Sequence, residues 1–168
     1  KVQENQALLS VYSNNCQWNR IEMHEPAIGI ICSGDCYLYA REVFGDGASY
    51  LKLGFTNPLP DDLIREFASK VEKIYIIEEN DPYIEDHVRA LGIPCDGKNI
   101  FPRNGEMKPE VIRAVMYGEE YPVDDVVRGA IIARPPTLCA GCPHRGFFYE
   151  LGRRKNVMVS GDIGCYTL

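Results

Sequence analysis

The 168-residue chain is 45% hydrophobic and 25% charged, the balance of a globular protein, which excludes a disordered or collagen-like polymer. With 24 acidic against 18 basic residues its net charge is −6, which argues against a general nucleic-acid surface. No apolar run reaches the roughly 18 residues that span a bilayer, and Lys1 to Gln6 are polar rather than leader-like, so neither a membrane nor a nucleic acid is expected as a partner.

Residues 1–24 read as an N-terminal connection, with the end of a helix before Ser13-Asn14-Asn15. The run Ala27-Ile28-Gly29-Ile30-Ile31-Cys32 is continuously apolar, as in a strand covered on both faces. After the Ser33-Gly34-Asp35 turn, Cys36, Tyr39, Ala40 and Val43 keep helical spacing until Gly45 stops it. A second strand, Tyr50 to Leu53, passes through Gly54 and Pro58-Leu59-Pro60 into a helix striped by Leu63, Ile64, Phe67 and Val71. The third strand is Lys73 to Glu78, and Asp81-Pro82 predicts an Asp-capped helix with Ile84, Val88 and Leu91 on one face. Lys108-Pro109-Glu110 opens a short helix through Met116.

Three strand-then-helix units predict a parallel sheet with helices on its faces, because parallel neighbours need a crossover. This α/β domain is expected over residues 25–117. Residues 118–136, rich in Pro and acidic side chains, read as a linker, and residues 137–168 as the start of a second domain. The chain opens at Lys1 without a Met and stops at Leu168 inside a Gly-rich apolar stretch, so a piece of a longer polypeptide is expected.

The first domain shows little chemistry. Glu78, Glu79 and Asp81 fall where the third strand ends, the edge at which open α/β sheets bind ligands, but the favoured reading is a helix cap at Asp81 and two solvated glutamates. His87 reads as a half-buried helix residue, and His24 has no evident partner. Neither a P-loop nor a GxGxxG is present.

Seven cysteines, at 16, 32, 36, 95, 139, 142 and 165, are an odd set that suits a reducing cytoplasm better than a disulfide framework. Cys32 and Cys36 read as small buried residues. The informative stretch is Cys139-Ala140-Gly141-Cys142-Pro143-His144-Arg145-Gly146, then a helical pattern, a strand from Asn156 to Ser160, and Gly161-Asp162-Ile163-Gly164-Cys165. Two thiols at i and i+3 before a helix can meet on one metal, and the free amides of that helix's first turn favour thiolate. Haem attachment is excluded because Pro143 stands where a His must follow the second Cys. Zinc on Cys139, Cys142, His144 and Cys165 is one reading, although the Cys142/His144 spacing makes a tight chelate. A dithiol redox pair, a four-iron cluster on Cys139, Cys142, Cys165 and a further ligand, and cysteines simply packed in a turn are the others.

Leu138 to Gly146 together with Gly161 to Leu168 resemble the opening of the thiamine-diphosphate domain in the large subunit of the indolepyruvate ferredoxin oxidoreductase family. Ile28 to Gly34, Leu51 to Gly54, Pro58 to Pro60, Leu63 to Phe67 and Ile77 to Glu79 resemble, in the same order, the transketolase C-terminal-like domain of that subunit. The resemblance implies oxidative decarboxylation of aryl 2-oxoacids to acyl-CoA by a cytoplasmic enzyme, with ferredoxin as electron acceptor. It further implies thiamine diphosphate, magnesium and a 4Fe-4S iron–sulfur cluster as cofactors, coenzyme A as co-substrate and a small beta subunit as partner. Carried over residue by residue, Cys139, Cys142 and Cys165 would ligate the cluster, and His144, Arg145, Gly161, Asp162 and Gly164 would approach the cofactor. Ala140 departs from the family's usual Pro, which implies a looser turn. The family's activating glutamate and its magnesium-binding Gly-Asp-Ser fall in other parts of the polypeptide, so this stretch alone is expected to be inactive.

Overall fold

A computed structural model describes residues 1–120, Gly129 and residues 138–160. The chain divides into two compact units, Lys1–Tyr121 and Pro122–Leu168.

The first unit is α/β, built on a mixed four-stranded sheet whose order is β1 (Arg20–Glu22), β3 (Ser49–Leu53), β2 (Ile28–Ser33) and β4 (Lys73–Ile77). Strand β2 lies parallel to both β3 and β4, with Ile31 opposite Leu51 on one side and Ile76 on the other. The expected all-parallel sheet needs correction at its edge, because β1 runs antiparallel to β3, pairing Arg20 with Lys52. Its three-residue polar–apolar–polar pattern was hidden in a stretch that reads as a connection. Its one apolar side chain, Ile21, joins the core from the sheet edge.

Helices cover both faces. Side chains alternate along each strand, so Ile30, Cys32, Tyr50 and Ile77 face α2 (Gly34–Phe44) and α5 (Pro109–Tyr117). Ile31, Leu51, Leu53 and Ile76 face α3 (Asp61–Ala68) and α4 (Tyr83–Ala90). Right-handed crossovers explain the division: the chain moves outward from β2 to β3, then back past β2 to β4, and the reversal puts successive helices on opposite faces. Gly29 is required where β2 passes α3's trailing residue, since a Cβ there would lie 2.5 Å from Val71 Cγ2. Gly118, at φ +68°, closes α5 in the left-handed conformation.

Helix α1 (Val2–Asn15) leaves Val2, Leu8, Leu9 and Val11 exposed and is tied down by Tyr12, edge-on to Phe55 at 5.2 Å, and by polar groups. Asn19, 6% exposed, donates from Nδ2 to the carbonyls of Ser13 and Phe55, both at 3.0 Å. Its Oδ1 accepts the Gly54 and Phe55 amides at 2.9 and 2.8 Å. Ser13 Oγ donates to Pro58 O at 2.7 Å. Gly54 fits because a Cβ would meet Trp18 Cβ at 2.8 Å.

In the second unit, helix α6 (His144–Gly152) follows the Cys139–Cys142 turn and buries none of its residues. The expected strand over Asn156 to Ser160 is not formed: residues 157–160 have no ladder partner among the described residues. Asn156 at φ +58° also turns the chain out of the extended conformation at the point where the strand would start.

Candidate functional site

The carboxyl edge of the parallel strands is the first place to look for chemistry, and its acidic residues prove to be structural. Glu78, 6% exposed just after β4, accepts the Ile84 amide at 2.8 Å and the Glu85 amide at 3.0 Å. It thereby satisfies the start of α4 that Asp81 was expected to cap; Pro82 occupies the cap position, and no side chain of its own supplies a cap bond. Burial pushes the Glu78 carboxyl above its ordinary value, outweighing the two amide donors and the nearby Lys98. Glu85, 2% exposed, pairs with Arg89 at 2.7 Å and accepts the Lys98 amide at 2.6 Å. Lys98 Nζ in turn donates to the carbonyls of Glu78 and Pro102. Glu79 accepts the Met107 amide at 2.9 Å. Glu78 therefore anchors the start of α4 from a buried position, whereas Glu79 ties down the loop between α4 and α5 while remaining exposed.

The histidines and buried thiols of this unit are structural as well. His87 Nε2 meets Asp61 Oδ1 at 2.7 Å and ties α4 to the start of α3. His24, which has no partner evident in the sequence, lies 3.2 Å from Arg41 and 3.5 Å from Asp46. Cys32 and Cys36 are buried as expected, and burial pushes both thiols up, Cys36 to about 11, so neither offers a thiolate near neutrality. One feature of this edge carries no motif: a cleft of about 470 Å³ lined by Ser33, Tyr37, Lys52 and Thr56. Tyr37 is occupied there, donating to Glu22 at 2.8 Å beneath the Lys52 ammonium, 5.1 Å from its ring.

The second unit carries the thiols that the sequence singles out. Cys142 N donates to Cys139 O at 3.1 Å, closing a four-residue turn whose third residue, Gly141, has φ +76°. A positive φ at that position is the mark of a type II turn, which explains a glycine there. The turn runs straight into α6: Pro143, at φ −63°, stands at the cap, and Arg145 N donates to Cys142 O at 3.1 Å. Both cysteines are free; Cys139 is exposed and Cys142 partly so. Cys142 Sγ lies 3.5 Å from His144 Nδ1, and the His144 ring sits 6.3 Å from that of Phe148, one helical turn on. Arg145 is exposed beside them. Arg153, just past the end of α6, reaches back to Glu150 at 3.7 Å and over the Tyr149 ring.

The structure thus brings Cys139, Cys142 and His144 into one turn. Gly161, Asp162, Gly164 and Cys165 lie outside the described residues. Among the described residues no three His, Cys, Asp or Glu side chains converge as a metal-binding group. The donors of the turn are two thiols and an imidazole, a soft set that suits an iron–sulfur cluster or zinc rather than magnesium.

No protein-family model matches the chain. It is similar to the protein named indolepyruvate oxidoreductase subunit IorA of Thermococcus kodakarensis, 35% identical over 92% of this chain and 28% of the relative. Its similarity to the subunit of the same name from Archaeoglobus fulgidus is 32% over 94% of this chain and 29% of the relative. For the one from Methanothermobacter thermautotrophicus it is 34%, over 84% of this chain and 26% of the relative. The chain spans a little over a quarter of the length of these curated relatives. The resemblance read from the residues is borne out by them.

Proposed function

We propose, from this kinship with indolepyruvate oxidoreductase subunits IorA, that the chain is part of an oxidoreductase that decarboxylates aryl 2-oxoacids to acyl-CoA and reduces ferredoxin. The observation that carries the reading is the Cys139–Cys142 turn opening α6, in a chain nine-tenths of which aligns with those subunits. Residues 25–117 would be the transketolase C-terminal-like domain, residues 118–136 its linker, and residues 137–168 the opening of the thiamine-diphosphate domain. A small beta subunit would complete the enzyme, in the cytoplasm; no helix among the described residues is long and apolar enough to cross a membrane.

In this reading Cys139 and Cys142, joined by Cys165, hold the 4Fe-4S cluster. The turn sets two sulfurs at the start of α6. His144, Arg145, Gly161, Asp162 and Gly164 border the cofactor, with Arg145 offering charge to a diphosphate. Thiamine diphosphate with magnesium would supply an electron sink for decarboxylation, and a cluster held by these cysteines would supply one-electron chemistry. The first unit would serve a structural role, since its buried acids and thiols are committed to its own fold.

The test is the full-length protein with its partner subunit, thiamine diphosphate, magnesium, coenzyme A and indolepyruvate. Ferredoxin or viologen reduction is expected, and no reduction with any arylpyruvate overturns the reading. Cys139→Ser is expected to remove iron–sulfur absorbance or cofactor-dependent turnover.

One observation favours a second reading, a zinc site. Sulfur and imidazole ligands on tetrahedral zinc stand about 3.5 Å apart, from Zn–S near 2.3 Å and Zn–N near 2.1 Å. Cys142 Sγ and His144 Nδ1 show that separation, 3.5 Å. One zinc per chain in place of a brown, oxygen-sensitive chromophore would decide for it.

A further inference from the structure

Only two of the three side chains in the turn are thiols, and the third is placed against one of them. His144 is the first residue of α6, and Pro143 before it has a ring-fixed φ of −63°, so little freedom separates His144 from Cys142. The imidazole lies near Phe148, with ring centroids 6.3 Å apart and planes at 32°. The result is Nδ1, rather than Nε2, facing the Cys142 sulfur at 3.5 Å.

The protonation of that contact follows from the sulfur. In a free thiol S–H can donate to the ring nitrogen. A sulfur bound to metal has no proton and only accepts, so a contact retained there requires the hydrogen on Nδ1. A neutral ring then leaves Nε2 free as an acceptor, pointing away from the sulfur. A hydrogen bond to a ligating sulfur withdraws electron density from it and stabilises the more negative, reduced cluster, which raises the reduction potential.

We infer that His144 is a positioning residue for Cys142, its Nδ1–H donating to the ligating sulfur and raising the potential of the cluster held there. This rests on the reading of Cys142 as a cluster ligand, and it gives His144 a role distinct from bordering the thiamine. The role needs a donor at the Nδ1 position and nothing else of imidazole. Phe retains the ring contact with Phe148 and lacks the donor; Asn places an amide N–H near the Nδ1 position.

The experiment uses the full-length protein with its partner subunit, in three variants: Cys142→Ser, His144→Phe and His144→Asn. Iron content is measured, and a redox titration is followed by the electron paramagnetic resonance signal of the cluster lost in Cys142→Ser. The expected result is that His144→Phe keeps its iron, its signal is reduced only at a more negative midpoint potential, and His144→Asn returns the midpoint toward that of the unaltered protein. Loss of iron in His144→Phe with retention in His144→Asn supports the same donor role. A midpoint unmoved in His144→Phe, with iron lost in Cys142→Ser, overturns the inference and leaves the ligand reading standing. Iron lost in both His144 variants overturns it in favour of direct ligation by the ring. Iron and signal unchanged in Cys142→Ser removes the ligand reading, and the inference with it.

Discussion

The carboxylate of Glu78 accepts the backbone amide of Ile84, six residues further along, at 2.8 Å, so the residue just after β4 also holds the start of α4. Replacing Glu78 with Ala strands that amide and the Glu85 amide in a buried site. The expected loss is about 1–3 kcal/mol, seen as a lower urea midpoint with unchanged slope. Glu78→Gln, which keeps one acceptor, should lose less.

Asp96 supplies a pH dependence of definite sign. Hydrogen bonds from Asn99 and then Lys73 hold its carboxyl below the ordinary 3.8. A lowered folded value means that the stabilisation is in place above the unfolded value and is lost as pH falls through the folded one. Asp96→Asn should therefore lower thermal stability at neutral pH and differ little from the unaltered chain in strong acid. Glu78 runs the other way. Its raised carboxyl contributes stability that is present below the ordinary 4.5 and lost as pH rises through the folded value.

Asn19 satisfies two amides and two carbonyls at once. Asn19→Ala should cost about 2–3 kcal/mol and speed hydrogen exchange at Gly54 and Phe55, while amides of β2 keep their protection.

Gly141 sits at φ +76° between the two cysteines. A β-branched side chain there costs about 1–2 kcal/mol in a loop with little else to hold it, so Gly141→Val in the full-length protein should lower iron incorporation. Gly141→Asn, which tolerates the left-handed region better, should fall between.

Thiol reactivity should separate the cysteines. With limiting iodoacetamide and peptide mass mapping, exposed Cys139 is expected to label first. Cys36, 3% exposed with its thiol pushed up to about 11, should stay unlabelled until the chain unfolds.

Much of the fold was legible in the sequence because apolar periodicity is strong where a strand is covered on both faces. Ile28 to Cys32 and the stripe Leu63, Ile64 and Phe67 fall where the spacing puts them. Strand β1 was not legible: three residues with one inward side chain carry too little pattern, and its pairing with β3 depends on residues some thirty positions away. Glu78 was misread for a related reason. Spacing marks Asp81 as the neighbouring acid before the helix, and only the folded chain shows the longer glutamate reaching back over it. At the candidate site the turn and the helix start were visible in Gly141 and Pro143. The meeting of Cys142 with His144 depends on a ring orientation that no spacing rule supplies.

The antiparallel edge has a consequence for synthesis. Arg20 and Lys52 are partners, so β1 leaves the ribosome with nothing to pair with until about thirty more residues follow. At roughly 5–20 residues per second that wait lasts about 2–6 s, during which Ile21 of β1 has no core to join. A holdase chaperone binding the segment around Ile21 would find its window before β3 emerges, and would lose it once the sheet closes.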